Sequence, residues 1–505
     1  MVTPPAALPT AGGKPIRQLV PLALVVVAVL ALGRSDGQFP NAPLLLALAV
    51  GAFVLLPNSP SWAVAPLLIT ELTISDYIVK EIGLSLRLAV AAAAVALSAR
   101  LILRSAPLGD PRFRRVLLPA LAFVVTATAI NAAFSESDYA FKYFRYQLGQ
   151  LLFLLVAACT IRDRRGLACV GAVALAVGAA SGFAGLWQHV DRHDAIFGAA
   201  NAEIFSDWKG RSLGLSNNPV TMANNMLFVL APMVGFAAAG VLPRGRLRLI
   251  AAGAFLFLTT GMYFTYTRSA MLALGAGLAG SALLLRGRRR TVIFGAIVGL
   301  YLLFQLAMTV GVVGGRYAKN TTNDRSAAGH EALLTVGLAV AADNFLIGIG
   351  HEHFEEISAQ YAFLVADEES AVGGQEAVGN ERPHNDFLSV LISWGSIGLI
   401  AYLAIVVGTL RNCAAAARRD DRLVRGMAVA CACGLVTYLT NSAFHNSLDS
   451  STALWLYAGL SVALVRIPEQ PPARGLRSAR PRLQRHRHHR RRPAARVAAQ
   501  YAFGG

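Results

Sequence analysis

Long apolar runs, broken by short polar or arginine-rich interruptions, fill the chain from near residue 17 to residue 466. Within the runs the apolar residues are continuous rather than alternating, which suits helices and not a barrel. Most runs are about 17–22 residues long, enough for a helix to cross a hydrocarbon core. The pattern predicts an all-α fold: a polytopic transmembrane helical bundle of about 12–14 spans, with one large outer loop that contains an amphipathic helix. The predicted spans lie near 17–33, 42–57, 60–79, 82–103, 114–132, 143–160, 166–187, 219–241, 247–265, 267–286, 291–312, 385–410, 424–441 and 451–466. The run at 60–79 carries Glu71 and Asp76 and is the weakest; a re-entrant segment is its alternative. The first run has the length of a signal peptide. It lacks a small-residue cleavage site and more spans follow at once, so it is expected to be the first helix.

Two connections are longer than the rest, at 188–218 and 313–383. In the second, residues 325–344 predict a helix that is apolar on one broad face and too polar at its ends to span. It is expected to lie on the rim of the bundle. The turn "FLIGIGHEHF" and an acidic stretch follow, and the chain returns to the membrane at Pro383, with His384 or Asn385 in capping position.

Composition agrees with this architecture: 55% of the residues are hydrophobic and the mean hydropathy is +0.52. Charge then sets the orientation. The net charge is +18, and arginine clusters stand at 104–115, 161–166, 244–248, 286–290 and 418–425. The positive-inside rule assigns these to the cytoplasm and the two long loops to the outer side. The localisation expected is the inner (cytoplasmic) membrane, multi-pass, with any site on the long loops facing outward. The basic tail after residue 470 is expected to lie disordered on anionic lipid rather than to bind nucleic acid. None of the five cysteines falls in a predicted outer loop, so no disulfide framework is expected.

The candidate chemistry sits at the predicted outer ends. Arg268, in "YTRSAM", lies just inside a span, where a guanidinium marks a site or snorkels to the interface. Arg211 ends the other long loop, shortly before Asn218-Pro219, a helix cap followed by proline at the first helical position. Two arginines beside a helix N-terminus suit a doubly charged phosphate. His384 heads a span as part of Pro383-His384-Asn385, and an imidazole there either caps the helix or takes a proton from a hydroxyl. Asp386, His445 and Asp449 lie at the same level and are expected to be structural or solvated. Lys142 and Arg145 suit either an anion site or the interface. No metal or cofactor is expected. Glu136-Ser137-Asp138 reads as a solvated turn, and neither "DRHD" (191–194) nor "HEH" (351–353) has the spacing of a helical zinc pair.

These elements come in a fixed order: Arg211, Gly214 and Asn218-Pro219 before a span; Thr267-Arg268-Ser269 at a helix end; Gly348 and Gly350 in a turn; Pro383-His384-Asn385; then Gly395-Ser396-Ile397-Gly398-Leu399. In this order the chain resembles the O-antigen ligase and O-antigen polymerase superfamily, most strongly over about residues 200–465. Trp394 stands where many members carry glutamate. The resemblance implies a membrane glycosyltransferase that moves a glycan from a polyprenyl-pyrophosphate donor to a glycan, lipid or protein acceptor hydroxyl outside the cytoplasmic membrane, without a metal. It implies His384 as acceptor-activating base, Arg211 and Arg268 as pyrophosphate clamps, and Asn385 and Asn218 beside them as substrate-binding residues. The domains expected are a cytoplasmic N-terminus (1–16), an N-terminal membrane bundle (17–187), a ligase-like membrane domain (188–466) and the tail (467–505). Two other readings exist. A polysaccharide or lipid transporter or flippase would place charges at mid-membrane and repeat its halves. An inactive cell-envelope assembly scaffold would have no need of both arginines and His384.

The charge pattern predicts that a cysteine placed at Gly374 reacts with an impermeant thiol reagent in intact cells. A cysteine placed at Arg288 should be protected, and the reverse result would invert the topology.

Overall fold

The computed structural model describes residues 63–73, 78–79, 84–105, 108–191, 211–216, 218–242, 245–285, 287–309, 325–365, 378–379 and 381–469. The expected spans at 17–33 and 42–57, most of the 188–218 loop, Gly374 and the basic tail lie outside these residues. The chain divides into residues 1–467 and 468–505, and the architecture below is that of the first unit.

Eleven of the predicted spans correspond to helices: α2 Leu86–Arg104, α3 Pro111–Phe134, α4 Ser137–Thr160, α5 Arg164–Asp191, α6 Pro219–Ala238, α7 Arg246–Tyr263, α8 Arg268–Leu283, α9 Arg288–Thr309, α12 Asp386–Ala417, α13 Arg422–Ser442 and α15 Ala453–Arg466. Five of the described helices, α3, α5, α6, α12 and α13, are long and apolar enough to cross a membrane. The expectation at 60–79 is corrected. Helix α1, Val64–Thr73, has ten residues, about 15 Å and half a crossing. A two-residue antiparallel ladder follows, β1 Ile78–Val79 with β2 Leu84–Ser85. Glu71 explains why the helix is no ordinary span: it is 2% exposed, and its Oε1 accepts bonds from Ser451 Oγ at 2.8 Å and the Thr452 N–H at 2.6 Å. The remaining described helices are α10 Arg325–Asp343, α11 Phe354–Ala359 and α14 Ser447–Ser450. Helix α10 falls where the amphipathic helix was expected.

Local sequence sets several of the starts. Asp110, Asn218, Asn385 and Asp421 each cap a helix with a side-chain oxygen, and Pro111 and Pro219 follow two of them at the first helical position. The central core forms where α3, α12 and α15 meet. Phe123 lies edge-on to Trp394, with ring centroids 5.1 Å apart, and against Tyr402 at 6.1 Å and Trp455 at 6.2 Å. A second core joins α10 to the start of α12 through Leu333, Val336, Val340, Leu388 and Ile392.

The arginine clusters gather at one end of the bundle. Arg112 donates to the Val465 carbonyl at 3.0 Å, Arg419 to the Leu464 carbonyl at 2.9 Å, and Arg289 to the Ala239 carbonyl at 2.7 Å. Arg164 pairs with Asp421, and Arg466 with Asp110 at 3.3 Å. Guanidinium groups here complete the open carbonyls of helix C-termini, as the helix dipole favours.

Helix α12 is broken at Trp394 and Gly395, where the backbone leaves helical geometry. In an unbroken helix the Ser396 N–H would reach the Ile392 carbonyl. Here it donates to the Phe345 carbonyl at 2.7 Å, while the Ile349 and Gly350 N–H groups donate to the Ile392 and Ser393 carbonyls at 2.9 and 3.0 Å. The turn 344–350 is thus inserted into the break, and each side satisfies the other's open backbone groups. Gly348 has φ +82° and Gly395 φ +61°. A Cβ on Gly395 would meet the Leu346 carbonyl oxygen at 2.2 Å, so both the conformation and the approach require glycine. Trp394 closes the joint: its Nε1 donates to Asn131 Oδ1 at 3.2 Å, and the same oxygen accepts from the His351 N–H at 3.1 Å.

Gly395→Ala should therefore cost about 2–5 kcal/mol from combined strain and overpacking. Thermal unfolding in detergent should show a large drop for it. Gly253→Ala, in helix α7 with open space around its Cβ position, should be neutral or slightly stabilising.

Candidate functional site

At the end of the bundle opposite the arginine clusters, four segments meet. The first is the strand of loop entering α6. Gly214 has φ +59°, and the Leu213 and Gly214 N–H groups both donate to the buried Gln188 Oε1 at 2.9 Å. Ser212 is held by its N–H on the Phe264 carbonyl at 2.9 Å and by its Oγ on the Gly185 carbonyl at 2.8 Å. Arg211 is thereby fixed against the second segment, the turn between α7 and α8. Its Nε donates to the Thr265 carbonyl at 2.8 Å, and its guanidinium to Thr267 Oγ1 at 3.3 Å. Tyr266, between those two threonines, has φ +53° and is the single non-glycine with positive φ among the described residues. That conformation costs free energy unless its surroundings enforce it. Arg268 follows at the first position of α8 and is exposed. Of the two arginines expected to clamp phosphate, Arg268 thus follows the strained turn and Arg211 is bonded to it.

The third segment is the start of α12. Asn385 caps it, Oδ1 accepting from the Leu388 N–H at 3.1 Å. His384, partly exposed, places Nε2 3.0 Å from Glu381 Oε2. Its neighbour Arg382 is gripped from the turn after Gly350: Nη1 lies 3.1 Å from His351 Nε2, and ion pairs run to Glu355 at 3.3 Å and Glu352 at 3.7 Å. His351, Glu352 and Glu355 therefore hold the backbone that presents His384. His351 itself stacks on Trp394, with centroids 5.7 Å apart and planes 13° apart.

The fourth segment is the turn between α13 and α14. Asp386 Oδ1 accepts from the Leu448 N–H at 3.0 Å, a structural role as expected for that residue. His445 Nε2 lies 2.7 Å from Ser269 Oγ. Burial pushes the His445 imidazole down to about 3, and the positive charges of His384, His330 and Arg211 push in the same direction. His330, on α10, faces His384 with ring centroids 4.7 Å apart.

The structure thus brings Arg211, Arg268 and His384 to one end of the bundle. Asn218 and Asn385 are both N-caps, Asn218 Oδ1 accepting from the Val220 and Thr221 N–H groups at 2.8 and 3.2 Å. His330 was not singled out from the sequence, because a histidine on an amphipathic helix carries no local mark of its neighbours. His445 was expected to be structural or solvated, and a motif search has nothing to detect in it. Lys142 and Arg145 lie over aromatic rings of their own helix, Tyr139 at 5.3 Å and Phe141 at 4.8 Å. Among the described residues no group of three His, Cys, Asp or Glu side chains is arranged to hold a metal ion.

Such an arrangement defines a polytopic helical membrane protein with a cation-lined site at one end of its bundle. Residues 253–403 match the family described as O-antigen ligase. That stretch runs from α7 to the middle of α12, and over it the chain is similar to the O-antigen ligase family. The match includes Arg268, the α10 helix, the interlocked turn and His384. No curated protein matches the chain.

The His445 shift has a consequence for stability. Its folded value lies below the ordinary histidine value of about 6.5, so the unfolded chain binds the proton first. Its contribution is complete above that value and is lost as pH falls towards 3. The apparent melting temperature of wild type should drop more steeply across this window than that of His445→Gln. Parallel slopes would mean the imidazole is not held neutral.

Proposed function

We propose that the protein transfers a glycan from a polyprenyl-diphosphate donor to an acceptor hydroxyl on the outer side of the cytoplasmic membrane. The observation that carries this reading is the meeting of Arg211, the Thr267-Arg268-Ser269 turn and His384 at the end remote from the arginine clusters. By the positive-inside rule that end faces outward, where a lipid-linked donor and a glycan, lipid or protein acceptor would meet.

In the proposed reaction His384 accepts the proton of the acceptor hydroxyl. With Nε2–H donated to Glu381, Nδ1 is the basic nitrogen, and the carboxylate holds the ring and stabilises the imidazolium that forms. The acceptor oxygen attacks the anomeric carbon. The bond from that carbon to the donor's phosphate oxygen breaks, its electron pair stays on the diphosphate, and the anomeric configuration inverts. Arg211 and Arg268 neutralise the charge that grows on the leaving diphosphate. Preorganised groups of this kind are worth about 2–4 kcal/mol each in the transition state. The Arg211 guanidinium is already tied by two bonds to the α7–α8 turn, so little reorganisation is needed. Asn218 and Asn385 serve the substrate by fixing the helix starts that face it. No metal is required in this scheme, because the charges a metal would neutralise are met by the arginines.

His384→Ala should lower the transfer rate by about 100-fold or more while donor affinity stays near that of wild type, because a base acts on the acceptor. Arg211→Ala and Arg268→Ala should weaken donor binding as well as turnover. Arg268→Lys should recover only part, since it keeps the charge and loses the planar fork. Donor affinity and transfer rate measured on the same purified, monodisperse variants decide the matter. Full activity in a well-folded His384→Ala protein would reduce the histidine to a structural residue.

A further inference from the structure

The start of α8 lacks a normal cap: Thr267 occupies the N-cap position and makes no side-chain bond to the helix. The preceding residue, Tyr266, is in the left-handed region. Contacts from other segments reach this helix start. Arg211 supplies some, through Thr265 and Thr267. Another is the bond between Ser269 Oγ and His445 Nε2 at 2.7 Å.

The turn that carries His445 also approaches the start of α12. The next residue, Asn446, places Oδ1 3.2 Å from Ser389 Oγ, and that same hydroxyl lies 3.1 Å from the carbonyl oxygen of Pro383, the residue before His384. The Asp386–Leu448 bond anchors the far side of the same turn to α12. The path Ser269–His445–Asn446–Ser389–Pro383 thus runs from the arginine that would hold the donor to the imidazole that would act on the acceptor.

We propose that His445 is a positioning residue: through its bond to Ser269 it sets the spacing between Arg268 and His384. This rests on the function proposed above. Neutrality is part of the role. Arg211, His384 and His330 lie near enough for their charges to act on the ring, with Arg268 one residue from its partner, Glu381 against His384, and Asp386 and Asp449 on the adjoining segments. A permanent cation at 445 would repel the arginines and imidazoles whose placement it is meant to secure. A neutral hydrogen-bonding group joins the two segments without adding charge.

The test uses the full-length protein in detergent and a polyprenyl diphosphate carrying one N-acetylhexosamine. Its diphosphate is a diester and does not titrate near neutral pH. His445→Phe and Ser269→Ala should each weaken donor binding and slow transfer by about tenfold. The double variant should be no worse than either single one, because both break the same bond. His445→Gln, which keeps a neutral hydrogen-bonding end, should restore both quantities to within about threefold. Its rate should rise with pH at the same midpoint as wild type, since the group replaced does not titrate there. Should His445→Phe fail to fold, Ser269→Ala and His445→Gln give the same comparison. Losses that simply add in the double variant, wild-type behaviour of folded His445→Phe, or a shifted midpoint in His445→Gln would overturn the proposal. Donor binding that survives Arg211→Ala and Arg268→Ala unchanged would instead overturn the proposed function itself.

Discussion

A backbone amide or carbonyl inside a membrane protein must find a partner, because lipid offers none. Helix α12 violates the simplest way of meeting that demand, since it breaks at Trp394–Gly395 within its length. The 344–350 turn meets it by lending two N–H groups and taking one in return. This exchange attaches the loop helix α10 to the bundle, fixes the residues that grip Arg382, and so determines where the segment before α12 presents His384. The tryptophan at the break serves the same joint, by bonding Asn131 and stacking on His351.

Electrostatics imposes the second constraint. Arg211, Arg268, His330, His384 and His445 gather at one end of the bundle, and charges of like sign there repel one another. The chain reduces that repulsion in three ways. Arg211 delivers part of its charge into backbone and threonine oxygens, Glu381 sits against His384, and His445 stays uncharged. At the opposite end the arginines spend their hydrogen bonds on helix C-termini. The two ends of the bundle thus use the same side chain differently. One completes open carbonyls, and the other gathers cationic groups beside the turn that carries Arg268.

Most of the architecture was legible in the sequence, because membrane burial is written locally. A run of apolar residues long enough for the hydrocarbon, with capping residues and prolines at its start, defines a helix without reference to the rest of the chain, as at Pro111–Phe134 and Pro219–Ala238. Helix α10 was legible from its apolar face, and Arg211, Arg268 and His384 could be located at helix starts and loop ends from the local sequence. Glu71 marked the run at 60–79 as a weak span in the sequence, but its partners Ser451 and Thr452 are brought near only by folding.

The glycines of "GIG" and "WGSIG" could be seen as a motif, but not as two halves of one joint, since backbone bonds between 349–350 and 392–393 leave no trace in either segment alone. His445 shows the limit most clearly. Its sequence neighbours, Phe444 and Asn446, give no reason to single it out. Its low proton affinity and its bond to Ser269 come from residues at 211, 269, 330 and 384. Hydropathy and capping are properties of a segment and its solvent, so the chain order suffices to read them. Burial of a titratable ring, and the charges that face it, are properties of a three-dimensional neighbourhood assembled from distant segments, and only the folded arrangement sets them.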